Sequence, residues 1–189
     1  LHTAIEKTGN ACLLGIDPHL DLLPEQYGAA RDPSLPRAER AAAMGDFCIA
    51  LLDLAKGRVP AVKPQSAFFE VFGADGHAQW ERVVAHAKTL RMLVIGDVKR
   101  GDIASTAAAY ARGLLQGTGC AGEADHLCDA VTVNAFLGEE SITPFLEVCE
   151  KTNTGIYVLV RTSNPGSADF QLCGEPTLSE RIADAVDRW

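Results

Sequence analysis

Residues 94–106 read VIGDVKRGDIAST, an apolar run that ends abruptly in Asp97, Lys99, Arg100 and Asp102. Asp97 and Lys99 stand two apart, so in extended backbone their side chains leave on the same side. Gly101 lets the chain turn ahead of Asp102. Charges at the mouth of a strand have a plain explanation, a solvated loop with a surface ion pair that contributes little. The RGD tripeptide at 100–102 also admits an adhesion reading. Its place at a strand end, rather than on a loop tip, argues against that. The choice between a solvated loop and a site turns on what the rest of the chain brings to the same place.

Five short runs share the apolar character of this one: ACLLGI (11–16), VPAVK (59–63), RMLVIG (91–96), CDAVTV (128–133) and GIYVLVR (155–161). They are nearly continuous rather than alternating, the pattern of strands buried on both faces. Between them the apolar residues fall at helical spacing. Met44, Phe47, Cys48 and Leu51 form one such set, ended by Gly57; Trp80, Val83, Val84 and Ala87 form a second; Ile142, Phe145, Leu146 and Cys149 form a third. A last helix opens at TLSE (177–180), a capping box with Thr177 at the N-cap and Glu180 at N3, and its apolar positions are Ile182, Val186 and Trp189. Segment 20–37, with Pro24, Pro33 and Pro36, reads as a long loop leading to a helix near 38–56. Strands that alternate with helices predict a parallel α/β sheet, and 189 residues without a visible linker predict a single domain.

Each predicted strand delivers polar groups at its C-terminal end: Asp17, Lys63, Asp97, Asn134, then Thr162 and Ser163. In a parallel α/β fold those ends share one face, where ligands bind in open sheets and barrels alike. Pro64 biases Lys63 away from helical backbone, so its side chain leaves from an extended segment. Taken singly, Lys63 could snorkel to solvent, Asp17 could close an Asx turn, and the hydroxyls of TSNPGS (162–167) could satisfy backbone. Their joint placement at successive strand ends is what points to a site.

Composition narrows the classes. Seventeen Lys and Arg against 25 Asp and Glu give a net charge of −8, with no basic run of the kind a nucleic-acid surface needs. Six cysteines form no C-x-x-C pair and none sits beside a histidine at zinc spacing; the five histidines form neither H-x-H nor H-E-x-x-H. No metal site is expected, and the thiols are expected to be free and mostly buried in a reducing cytoplasm. No apolar stretch reaches the ~18 residues of a membrane span. No signal peptide is visible, although the chain begins at Leu1 rather than Met.

LGIDPH (14–19), AVKPQSAFFE (61–70), DVKRGDIASTAAAYA (97–111), DAVTVNAFLGEESI (129–142) and VLVRTSNPGS (158–167) together resemble the orotidine 5′-phosphate decarboxylase family. The D-x-K-x-x-D-I-x-x-T core, Asp97 to Thr106, is the specific part, and the long 20–57 excursion looks like the bacterial branch with an extended β1–β2 connection. The resemblance implies a (β/α)8 TIM barrel, here incomplete: residues 1–189 form a single barrel domain of about five βα units plus a helix. A whole barrel typically takes about 250 residues. The later strands, with the loop and arginine that grip phosphate, are not in this sequence. A five-stranded piece would expose a sheet edge and core faces, so it is not expected to fold alone or to bind substrate well.

The resemblance further implies decarboxylation of orotidine 5′-monophosphate to UMP in de novo pyrimidine biosynthesis, without metal or organic cofactor, by a cytoplasmic homodimer that binds neither nucleic acid nor membrane. Lys63, Asp97, Lys99 and Asp102 would form the catalytic charged network, with Lys99 protonating C6. Asp17 would hold the ribose together with Lys63, and Ser163 would meet the pyrimidine. Asp102 and Thr106 would reach the neighbouring subunit's site. One rival is a magnesium-dependent sugar-phosphate decarboxylase or aldolase of the same superfamily, which shares D-x-K-x-x-D but has a carboxylate where Lys63 stands. An ammonium there would repel Mg²⁺, which takes oxygen ligands. The other rival is a non-catalytic nucleotide-binding fragment that holds UMP-like ligands without turnover.

Overall fold

Among the described residues, five parallel strands lie side by side in chain order: β1 (Leu13–Ile16), β2 (Ala61–Pro64), β3 (Leu93–Arg100), β4 (Ala130–Asn134) and β5 (Gly155–Leu159). The computed structural model describes residues 1–117 and 127–189. Helix α1 (His2–Thr8) precedes the sheet. Each strand is then followed by helix: α2 (Arg37–Ala55), α3 (Ser66–Glu70) with α4 (Gly73–Thr89), α5 (Ala104–Ala111), α6 (Thr143–Thr152) and α7 (Leu178–Arg188). This is an α/β partial barrel of five βα units.

Side chains alternate across the sheet with the two-residue period of a strand. Ile16, Val62, Val94, Val98, Val131 and Val133 point to the helical layer and join one core with Met44, Cys48, Phe69, Trp80, Val84 and Phe145. Leu13, Ala61, Lys63, Ile95, Thr132 and Tyr157 line the opposite, inner face. Central β3 is buried on both faces from Val94 to Val98. The outer strands depart from that expectation. Leu13 on β1 is 42% exposed and Tyr157 on β5 is 46% exposed, because a strand at the sheet edge has a neighbour on one side only.

Several boundaries move from where the sequence pattern put them. Segment 20–37 is not bare loop but holds two 3-10 turns, Leu20–Leu22 and Glu25–Arg31, pinned by the Arg31 guanidinium donating to the Leu20 and Leu23 carbonyls. Helices α1, α3 and α5 carry no apolar periodicity strong enough to announce them. The capping box does form: Thr177 Oγ1 accepts from the Glu180 N–H, and the Glu180 carboxylate accepts from the Thr177 N–H at 2.7 Å. The thiols are not mostly buried. Cys48 and Cys128 are, and burial pushes both up to about 12; Cys149 is half-buried, while Cys12 and Cys173 are exposed. Cys120 lies outside the described residues.

The layer behind the motif is close-packed at Gly96. A Cβ built there would lie 2.8 Å from Cys128 Sγ and 3.2 Å from Val131 Cγ1, with the Trp80 ring 3.5 Å away. Trp80 is itself held edge-on by Phe69, ring centroids 5.5 Å apart. The expected outcome for Gly96→Ala is a loss of about 1–3 kcal/mol of stability from overpacking, read as a lower urea midpoint; an unchanged midpoint would show that the layer is looser than described.

Candidate active site

Strand β3 does not stop at Gly96, where its apolar run ends; it continues through the charged motif to Arg100. The β3–β4 register explains how. Gly96 pairs with Val131 and Arg100 with Val133, so Asp97, Val98 and Lys99 all oppose Thr132 alone. Such a bulge re-aims side chains and recurs beside functional sites. Lys99 takes φ +44°, a left-handed conformation uncommon for a residue with a side chain. The extended-backbone argument for Asp97 and Lys99 thus reaches the right side of the sheet by a different path.

Asp97 is the centre. It is 5% exposed, and both carboxylate oxygens are occupied. Lys63 Nζ donates to Oδ2 at 2.6 Å, from the end of β2. Lys99 Nζ donates to Oδ1 at 2.5 Å, and Thr132 Oγ1 donates to the same oxygen at 3.0 Å. A bridge between Gln65 and Asp97 extends the β2–β3 ladder beside the cluster. Burial alone would push the Asp97 carboxyl up, but the hydrogen bonds from Lys63, Lys99 and Thr132 outweigh it and hold the group below the usual carboxylate range.

The remaining predicted residues are placed differently. Asp102 is not within ion-pair distance of Lys63 or Lys99 of its own chain; its carboxylate accepts the neighbouring Ile103 N–H at 2.8 Å. Thr106 is exposed on the first turn of α5. Asp17 follows β1 directly and is exposed, outside the Asp97 cluster. Ser163 is exposed after β5. Its neighbour Thr162 is consumed locally: its N–H and hydroxyl both bond the Gln171 amide, and the hydroxyl meets Asn164 Oδ1 at 2.6 Å. Asn134 closes an Asx turn onto the Phe136 N–H. Arg100 turns away from the cluster to Glu70 at 2.8 Å and lies over the Tyr110 ring, and it holds the Glu70 carboxyl below its usual range.

Thr132 is the member that the sequence reading missed. Its signal was its position: it sits one residue from the end of a predicted buried run, two before Asn134, on the face that carries Lys63 and Asp97.

The pH dependence follows from the direction of the Asp97 shift. A carboxyl lowered on folding contributes stability that is present above its unfolded value, about 3.9, and is lost as pH falls through the folded value. Asp97→Asn leaves two ammoniums without their anion. We expect it to cost about 1–3 kcal/mol near neutral pH, the lysines being partly open to solvent. Its urea midpoint should converge on that of the wild type as pH falls below about 4. A gap that stays constant from neutral to acid pH would contradict the ionised, paired Asp97.

A sequence model of the family described as Orotidine 5′-phosphate decarboxylase / HUMPS family matches residues 20–187. The chain is 40% identical to the orotidine 5′-phosphate decarboxylase of Rhodopirellula baltica over 98% of its own length and 62% of that protein. It is 43% identical to the Deinococcus radiodurans enzyme of the same name over 83% of its length and 54% of that protein. Among solved structures, OMP decarboxylase of Leishmania donovani matches 97% of the chain, and 62% of its own length, with a TM-score of 0.72 and 29% identity. The chain thus spans little more than half to under two thirds of the length of these relatives. On the match across residues 20–187 and these identities, the chain belongs to the orotidine 5′-phosphate decarboxylase / HUMPS family.

Proposed function

We propose that this chain carries the charged centre of a cofactor-independent orotidine 5′-monophosphate decarboxylase, producing UMP in the cytoplasm. The observation that supports it is one buried carboxylate, Asp97, clamped between the ammonium groups of Lys63 and Lys99 at the C-terminal mouth of a parallel sheet.

Breaking the bond between C6 and the carboxylate leaves an electron pair on C6 with no conjugated sink. The barrier is then lowered by charges fixed in advance of reaction. Asp97, near the substrate carboxylate, repels it. Two like charges at 4 Å interact by about 4 kcal/mol at an intermediate dielectric, which favours departure of CO₂. The Lys99 ammonium steadies the pair left on C6 and gives it a proton, forming the C6–H bond of UMP; water later returns a proton to Lys99. Lys63, held by Asp97, binds the ribose hydroxyls with Asp17, and Ser163 meets the pyrimidine. Two ammoniums around one carboxylate leave a positive excess, which suits an anionic substrate and a further carboxylate. Asp102, half-buried at the rim and out of ion-pair reach of its own chain's Lys63 and Lys99, supplies that carboxylate to a second copy of the chain, with Thr106 beside it.

The magnesium-dependent reading requires a divalent ion at this aspartate. Both of its oxygens already accept from lysines, so the ion would have to displace an ammonium. Turnover that persists in EDTA agrees with the decarboxylase reading, whereas turnover abolished by EDTA favours the rival.

The test is the loss of orotidine absorbance, followed with the complete gene product that carries this sequence; binding of UMP without turnover would favour the non-catalytic reading. Lys99→Ala is expected to lower kcat on the order of 10⁴-fold or more while leaving the circular dichroism spectrum unchanged. Retention of near wild-type kcat would remove Lys99 as proton donor. Mixing inactive Lys99→Ala and Asp102→Asn chains is expected to restore part of the activity through hybrid dimers. No recovery at any mixing ratio would argue against the shared site.

A further inference from the structure

The Thr132 hydroxyl has one proton to donate and two lone pairs to accept with, and the structure uses all three. It accepts the Val98 N–H at 3.0 Å and the Lys99 N–H at 2.9 Å, and donates to Asp97 Oδ1 at 3.0 Å. The polarity is unambiguous: two of the partners are N–H donors and the third is a carboxylate that only accepts. The three bonded residues, Asp97, Val98 and Lys99, are those that the bulge sets against Thr132 alone. One oxygen therefore closes the bulge from both backbone sides and ties it to the charged centre.

We infer that Thr132 is a positioning residue, whose hydroxyl fixes the left-handed Lys99 backbone and the Asp97 carboxylate relative to one another, and so sets where the Lys99 ammonium stands. No strand ladder bond can substitute. Opposite the bulge the β3 backbone is out of register with β4, and the Val98 and Lys99 N–H groups find their acceptor in a side chain instead. Valine fills the same volume but offers neither the donor nor the acceptors. Serine offers all of them.

This rests on the decarboxylase reading for its kinetic arm only. In the complete protein, Thr132→Val is expected to lower kcat about 10- to 100-fold, as misplacement by around an ångström does, with KM changed less than about 3-fold because Thr132 does not itself hold substrate. Thr132→Ser is expected to keep kcat within about 3-fold of wild type. Thr132→Ala removes the hydroxyl without adding bulk and serves if the valine variant folds poorly. The second readout needs no substrate: amide hydrogen exchange at Val98 and Lys99 should accelerate at least about 10-fold in Thr132→Val, and not in Thr132→Ser, as expected when protecting bonds are lost locally. A loss shared equally by the serine variant, or an unchanged kcat in the valine variant, overturns the inference. So does unchanged exchange at these two amides. A wild-type protein that fails to decarboxylate, yet shows the exchange contrast, overturns the functional reading and leaves the positioning role standing.

Discussion

An ionised carboxylate buried at the centre of a sheet is the constraint around which this structure is arranged. Moving a lone carboxylate out of water costs far more than a domain can spare, so it must be paired and hydrogen-bonded. Asp97 meets that condition with three donors from three strands: Lys63 from β2, Lys99 from its own β3, and Thr132 from β4. Removing any one leaves the others bound to a group that is worse solvated. The cluster therefore behaves as a unit, and its parts are not separable contributions. The same interdependence makes the site rigid before any substrate arrives, which is the property that electrostatic catalysis requires.

The scaffold makes this convergence possible. Parallel strands in chain order bring the ends of β2, β3 and β4 to one rim, so residues 63, 97 and 132 become neighbours despite their separation in sequence. Behind them the Gly96 backbone sits against Cys128, Val131 and Trp80, and the edge-on Phe69–Trp80 pair ties β3 to helices α3 and α4. Asp129, just ahead of β4, accepts the Val94 N–H at 2.8 Å and braces β3 from the other end. These contacts, apolar packing and one carboxylate–amide hydrogen bond, lie within the chain itself, and none depends on a ligand.

What could be read from the chain, and what could not, divides along physical lines. The lysine and aspartates of D-x-K-x-x-D were legible because charges at the end of an apolar run are conspicuous and their strand-end positions recur along the chain. The extent of β3 was not, because the run of apolar residues ends where the bulge begins, and a bulge leaves no mark on hydropathy. Thr132 was hidden for a related reason. In CDAVTV a threonine is an ordinary strand former, and nothing short of the three-against-one register shows that its hydroxyl faces Asp97. Helix α5, ASTAAAYA, is helical by alanine content rather than by an apolar stripe, so a search for periodicity passes over it. The long excursion after β1 reads as loop because its prolines break periodicity, yet Arg31 binds its carbonyls into short 3-10 turns.

Lys99 connects the energetics of the fold to those of the site. A side-chain-bearing residue in the left-handed region carries about 1–3 kcal/mol of strain. Against it stand the hydrogen bond from the Lys99 N–H to Thr132, worth about 1 kcal/mol net, and the bond from the Lys99 ammonium to Asp97, worth about 1.5–3 kcal/mol because its acceptor is charged. The first of these alone does not offset the upper part of the strain range; the two together come to about 2.5–4 kcal/mol and offset most or all of it. The left-handed turn is thus stable in so far as Asp97 remains an anion, and Asp97 remains an anion because Lys63, Lys99 and Thr132 donate to it. Geometry and charge sustain one another in a closed loop. The conformation that aims the ammonium is held by the very carboxylate whose charge the proposed chemistry uses.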